Sequence, residues 1–264
     1  MEKVKNMKYL AMIQARCGST RLHNKVLKEL EGKTDIERVI ERVHRSKSID
    51  ETMLITSIDK ENLPLIELCA GIGVRVFVGS EDDVLDRYYQ AARLLSSEYI
   101  IRITGDCPLF DWRYLDKAID SLDAQTDYLW MGEDAFPDGL DFEIMTFKAL
   151  EKSWREARLS SEREHVTVYI RNHPELFNIQ VYDFPIKNAG HYRWTLDEES
   201  DYEVIKSIYG HFIKQDKEFF VTEDIIDYLK SHPEVEKINS SIGRNEGLAK
   251  SIAEDKLLDE RKEL

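Results

Sequence analysis

The sequence predicts an α/β protein built on a mixed, mostly parallel sheet flanked by helices in three layers. Three observations predict it. Hydrophobic runs and helix-capping signals alternate through the first half, as they do where parallel strands are covered on both faces. Glycines punctuate that alternation at Gly71 and Gly79, just after apolar segments. The chain has 264 residues, 42% hydrophobic and 33% charged, which suits one large α/β core and lies outside the composition of disordered chains.

The elements follow in order. Tyr9 to Gln14 (YLAMIQ) is the first strand, and Ala15 to Lys25 a polar loop rich in Arg, Gly, Ser and Thr. Thr34 stands three residues before Glu37 as a capping box, and Ile36, Val39, Ile40 and Val43 recur at helical spacing to about Ser46. Thr52 to Thr56 is a short strand, Glu61 to Ala70 a helix, and Val74 to Val78 a third strand. Asp82 to Ser96 carries Val84, Leu85, Tyr88, Ala91, Ala92 and Leu95 on one stripe, so it reads as a helix, with Tyr99 to Thr104 the next strand. A helix over Tyr114 to Leu122 and a strand over Tyr128 to Met131 come next, then a Pro-Asp-Gly turn at Pro137 to Gly139 and a strand over Leu140 to Met145. Helices are expected over Phe147 to Arg158 and Glu164 to Asn172, and strands over Phe177 to Tyr182 and Tyr192 to Thr195, as antiparallel additions to the sheet. The chain from Ser200 reads as three helical pieces. Residues 1–240 are expected to form one domain and 241–264 a charged helical tail.

Charge excludes some partners. Lys and Arg number 37 against 51 Asp and Glu, a net −14 that opposes binding to nucleic-acid backbones or anionic membranes. No run approaches the roughly 18 apolar residues of a membrane helix, and Met1 to Tyr9 lacks the apolar centre of a signal peptide, so a cytoplasmic protein is expected. Cys17, Cys69 and Cys107 are too scattered for a disulfide framework or a paired-cysteine zinc site.

Against this acidic background, Gln14 to Lys28 holds Arg16, Arg21, Lys25 and Lys28 and no acidic residue. A local +4 on the loop that leaves the first strand lies where open α/β sheets bind ligands, and it selects for a polyanion. Gly18 permits close backbone approach, and Ser19 and Thr20 add hydroxyls, a combination suited to a nucleoside triphosphate; a plain solvated basic loop fits the spacing as well. Gly32-Lys33-Thr34 imitates the end of a P-loop, but the required earlier glycine falls at position 27, where Leu27 stands.

The blocks QARCGSTRLHNKVL, VFVGSEDDVLDRY, RITGDCPL, PDGLDFE, EREHVTVYI and RWTLD, in that order from Tyr9 to Asp201 over about three quarters of the chain, resemble the spore coat polysaccharide biosynthesis cytidylyltransferase-like proteins. These are relatives of the acylneuraminate and 3-deoxy-manno-octulosonate cytidylyltransferases. The resemblance implies a nucleotide-diphospho-sugar transferase fold and an Mg²⁺-dependent transfer of CMP from CTP to a sugar-like acceptor, with pyrophosphate leaving. It also implies a homodimer.

Carried over by position, the resemblance puts Ala15, Arg16, Gly18, Ser19, Arg21 and Lys25 on the triphosphate loop, with His23 and Asn24 replacing the usual Pro and Gly. Asp106 falls on the aspartate that holds the metal and Asp197 on its partner carboxylate; two carboxylates with phosphate oxygens suit Mg²⁺. Arg16 and Lys25 would neutralise phosphate charge in the transition state. Ser57, Ser80, Asp83 and Arg87 lie where relatives read the base, although Asp83 and Arg87, four apart, equally suit an ordinary helical ion pair. Acceptor contacts are expected from Asp141 and Glu143, which share one face of a strand, and from Glu162, Arg163 and His165. Arg193 either reaches the phosphates or pairs with a carboxylate. Cys17 and Cys107 are expected to pack rather than react, because the transfer is direct. Two other readings fit the same residues: a glycosyltransferase using a nucleotide sugar, and a nucleotide-binding protein without turnover.

Overall fold

A computed structural model describes residues 7–132, 135–244 and 248–255. Strand β1 (Tyr9–Gln14) leads through a 3-10 turn (Lys25–Leu27) to a two-residue hairpin, β2 (Glu29–Leu30) and β3 (Lys33–Thr34), then to helix α1 (Asp35–Val43). Next come β4 (Glu51–Ser57), a turn (Lys60–Asn62), α2 (Leu63–Gly71), β5 (Arg75–Gly79), α3 (Val84–Leu95), β6 (Tyr99–Thr104) and α4 (Trp112–Asp120). The second half holds β7 (Tyr128–Trp130), β8 (Glu143–Thr146), α5 (Phe147–Glu156), α6 (Ser160–Glu164), α7 (Val168–Asn172), a turn (Pro174–Leu176) and β9 (Ile179–Val181). It ends in α8 (Glu199–Ile213), α9 (Thr222–Ser231) and α10 (Pro233–Glu236), with residues 248–255 helical. No helix among the described residues is long and apolar enough to cross a membrane.

The main sheet runs β5-β4-β1-β6-β8-β7-β9. Strands β5, β4, β1 and β6 are mutually parallel, β8 is antiparallel to both β6 and β7, and β9 is parallel to β7. The mixed, mostly parallel sheet is the one expected, but among the described strands of this sheet only β8 runs antiparallel to the rest, and β9, expected as an antiparallel addition, runs parallel to β7 and in the direction of β6. Alternation along β1 builds both faces: Ala11 and Ile13 pack with α1, α4, α8 and α9, while Leu10 and Met12 pack with α3, α5 and α7. Chain order reverses at β1, between β4 and β6, and a crevice opens at the carboxyl ends of such strands.

Three further expectations are corrected, and the rejected P-loop match gains a structural explanation. The P-loop imitation is the turn of the β2–β3 hairpin: Glu31 and Gly32 both have positive φ (52° and 84°), as a type I′ turn requires. The helix expected over Glu164 to Asn172 is two, α6 and α7, broken where Val166 takes a φ of 56°, a costly conformation for a β-branched residue. Tyr192 to Thr195 makes one bridge, Arg193 to Asp138, instead of a strand. Strand β8 starts at Glu143, so Asp141 precedes it and the two do not share a strand face. Part of the expected tail, 245–247 and 256–264, lies outside the described residues.

Candidate active site

The carboxyl ends of β1 and β6 bring two loops into contact. Gly105 N–H donates to the Gln14 carbonyl at 2.7 Å, and a Cβ at Gly105 would sit 2.6 Å from Ala15 Cβ, so only glycine permits this approach. The Asp106 carbonyl accepts the Leu196 N–H at 2.8 Å, which draws the segment carrying Asp197 to the same edge.

Lys25 lies between the two acids. Its Nζ donates to Asp106 Oδ2 at 2.5 Å and to Asp197 Oδ1 at 2.6 Å, with 12% of its side chain exposed. Burial alone would lower the Lys25 pKa, but the two carboxylates outweigh it and hold the ammonium above its ordinary value. Burial likewise pushes Asp106 up, and Lys25 overcomes this and keeps it below the usual carboxylate range. Beneath them Asp35 is fully buried, and neither of its carboxyl oxygens has a hydrogen-bond partner among the described residues; burial first, then Asp106, push its pKa well up.

The loop from Ala15 frames the same cleft, lined by Ala15, Arg16, Ser19, Arg21, Lys25, Arg87, Asp106 and Asp197 among others. Arg16, half exposed, pairs with Glu81, and Arg21 pairs with Asp197 at 3.0 Å. Asn24 occupies the left-handed region at φ 53°, which Asn visits more readily than most residues, so the backbone turn survives the exchange of the usual Gly. Lys28 turns away to Glu199 and the Tyr202 ring. Gly18 does not line the cleft; a Cβ there would lie 3.5 Å from Glu61 Oε2.

Of the base-side residues, Arg87 reaches the cleft. Its guanidinium is buried, with Nε and Nη1 lacking partners among the described residues, and burial lowers its pKa. Its stem passes where a Cβ on Gly79 would come within 2.6 Å of Arg87 Cγ. The other three are held in hydrogen bonds, although Asp83 lines an adjoining cavity together with Arg16, Arg87, Arg163 and His165. Ser57 is fully buried and its hydroxyl accepts from Asn62 Nδ2 at 2.7 Å. Ser80 Oγ accepts the Asp83 N–H. Asp83 caps α3 through the Asp86 N–H and pairs with Arg163 Nε at 2.9 Å, which replaces the Asp83–Arg87 ion pair.

A second cavity adjoins, with Arg102, Thr104, Asp138, Asp141, Glu143, His165, Arg171 and Arg244 in its wall. Glu143 is committed to Arg102 at 2.6 Å, Thr167 Oγ1 at 2.6 Å and the Tyr128 hydroxyl. Burial pushes Glu143 up, but Arg102 and Arg171 hold it below its ordinary pKa. Asp141 accepts the Gly139 N–H, and burial together with Asp141 pushes Asp138 up to about 6. Glu162 accepts the Arg158 and Leu159 N–H groups at the start of α6, a capping role instead of an acceptor contact. His165 Nε2 lies 3.0 Å from Ser251 Oγ, and Asp255 accepts the Ser161 N–H, so residues 248–255 close this side. Arg193 is spent on carboxylates, reaching both oxygens of Asp201 and Asp138 Oδ2. The three cysteines are free and buried.

Sequence reasoning missed Glu81, Asn62, Arg102, Arg171 and Arg244. Arg102 carried a signal, a single cation inside the strand YIIRIT, and Glu81 lies inside the quoted block VFVGSEDDVLDRY; Asn62, Arg171 and Arg244 sit outside the quoted blocks.

The family model described as cytidylyltransferase matches residues 10–230. The chain belongs to this cytidylyltransferase family. The enzyme is 39% identical over 238 residues to the uncharacterized protein MJ1063 of Methanocaldococcus jannaschii, covering 89% of this chain and 96% of that one. It is 39% identical over 208 residues to the spore coat polysaccharide biosynthesis protein SpsF of Bacillus subtilis, covering 76% and 85%. Among solved structures, a cytidylyltransferase from Leptospira borgpetersenii superposes with a TM-score of 0.83 at 32% identity, over 90% of this chain and all of that one. The fold is thus the nucleotide-diphospho-sugar transferase type, and the cytidylyltransferase is a nucleotidyltransferase.

Proposed function

We propose that this cytidylyltransferase transfers CMP from CTP to a sugar or sugar-acid acceptor in an Mg²⁺-dependent reaction that serves surface polysaccharide assembly. An acceptor hydroxyl oxygen bonds to the α-phosphorus and gives up its proton to water, the bond from that phosphorus to the bridging oxygen breaks, and pyrophosphate leaves with the electron pair. The observation that carries the reading is the convergence of Asp106 and Asp197 on one Lys25 ammonium beside a loop of cations.

The residues suit the metal. Two carboxylates offer hard oxygen donors of the kind Mg²⁺ takes, and no group of three or more His, Cys, Asp or Glu side chains able to hold a metal occurs among the described residues, so phosphate oxygens and water would complete the shell. Asp106 and Asp197 would hold the ion, which neutralises phosphate charge when bound. Lys25 and Arg16 would bind phosphate oxygens and steady the leaving pyrophosphate. The unpartnered N–H groups of Arg87 would take an oxygen of the nucleotide. Around the second cavity Arg102, Arg171 and Arg244 suit an acceptor that carries a carboxylate. The polysaccharide role is supported by the similarity to SpsF.

The test is to incubate the enzyme with CTP and Mg²⁺ across a panel of sugars and sugar acids and to measure pyrophosphate. Acceptor-dependent release supports CMP transfer. Cleavage of a supplied nucleotide sugar would point to a glycosyltransferase, and tight binding of CTP without release under any acceptor to a binding protein.

A further inference from the structure

We infer that Asn62 is a positioning residue of the nucleotide loop, holding the Cys17 peptide so that Arg16 and Lys25 are displayed before a nucleotide arrives. Asn62 ends the turn between β4 and α2 and is 1% exposed. Its Oδ1 accepts the Cys17 N–H at 2.8 Å, while its Nδ2 donates to Ser57 Oγ at 2.7 Å and to the Ser57 carbonyl at 3.3 Å. The acceptor and both donors of the amide are therefore used, and the Cys17 N–H, which only donates, fixes which end is oxygen.

The Cys17 peptide is the hub of the loop. Its carbonyl accepts the Ser19 N–H at 2.8 Å and the Asn24 N–H at 3.2 Å. Arg16 precedes it and Lys25 follows Asn24, so one tether to the end of β4 sets both cations. Gly18 lies against the same turn, within 3.5 Å of Glu61 as judged from a Cβ placed there. Ordering a loop that carries Arg16, Arg21 and Lys25 only on binding would weaken affinity; a buried amide that orders it beforehand removes that penalty. The inference rests on the reading of this loop as the cradle of the CTP triphosphate.

The test uses the full chain, with CTP and Mg²⁺ titrated by calorimetry and amide hydrogen exchange followed in the free protein. Asn62→Ala is expected to weaken CTP binding about tenfold, the scale of one buried hydrogen bond, and to speed exchange across residues 15–25. Ser57→Ala, which leaves the Cys17 bond in place, moves both readouts the same way by less, and it carries the test if Asn62→Ala does not fold. Leu229→Ala, in the core at α9, is the control: it lowers the melting temperature and leaves both readouts unchanged. Unchanged affinity or unchanged loop exchange in Asn62→Ala overturns the inference, and so does an equal weakening in Leu229→Ala. If the unaltered enzyme fails to bind CTP, the functional reading falls, and the exchange data alone judge Asn62.

Discussion

At the carboxyl edge of β1, cations face carboxylates beside an open cleft: Lys25 between Asp106 and Asp197, Arg21 on Asp197, Arg16 on Glu81. Across the cleft, around Glu143, the charges are consumed by one another. Glu143 has three partners, Arg193 holds Asp201 and Asp138, and Arg163 holds Asp83. On the proposed function, the first region is a set of groups that a nucleotide and its metal would draw apart. The second holds ion pairs that fix the shape of a cavity, with Arg171 and Arg244 also in its wall. Counting charged residues does not separate the two; their partners do.

The largest effect is expected from Asp106→Asn. With Mg²⁺ saturating, pyrophosphate release should fall by about 10³-fold, the scale of losing a preorganised electrostatic group, while the melting temperature stays near that of the unaltered enzyme. Full activity would remove Asp106 from that set. Glu143→Gln should behave in the opposite way, losing about 3–5 kcal/mol in denaturant unfolding because Arg102 is left buried without its counter-charge, yet binding CTP normally if it is kept folded. A stable Glu143→Gln with weakened CTP binding would dissolve the distinction between the two regions.

Lys25→Met should weaken CTP binding measurably by calorimetry while also raising the pKa of Asp106, since the cation that holds that carboxylate down is gone. The smallest effect concerns Asp35. Its folded pKa is raised, so the folded state binds the proton more tightly than the unfolded chain, and the wild type loses stability as pH rises above the ordinary carboxylate range. Asp35→Asn lacks this loss. Its unfolding free energy should match the wild type in acid and exceed it increasingly toward pH 8; a gap that shrinks with rising pH would contradict the assignment.

Much of the nucleotide side was legible because it is local. Arg16, Ser19, Arg21 and Lys25 all follow within eleven residues of the end of one strand, and the charge inversion they make needs no tertiary contact to be seen. The base and acceptor sides were less legible. Ser57 and Glu162 carry the right polar groups, yet one is taken by Asn62 and the other by two backbone N–H groups of its own helix start. Local hydrogen bonding of this kind competes with ligand contact and leaves no mark on residue type. The break at Val166 was invisible for a related reason, since valine rarely takes positive φ, and here the Thr167 N–H donates to the His165 carbonyl across it.

Alternating hydrophobic runs determined the strands, the crossover helices and hence the switch point at β1, because burial of a strand's two faces is written in adjacent residues. Proximity in the fold decided the rest: Asp197 meets Asp106 across 91 positions only because the Leu196 N–H bonds to the Asp106 carbonyl, and His165 meets Ser251 across 86. Such encounters depend on loop closures between distant segments, whose geometry no run of neighbouring side chains encodes.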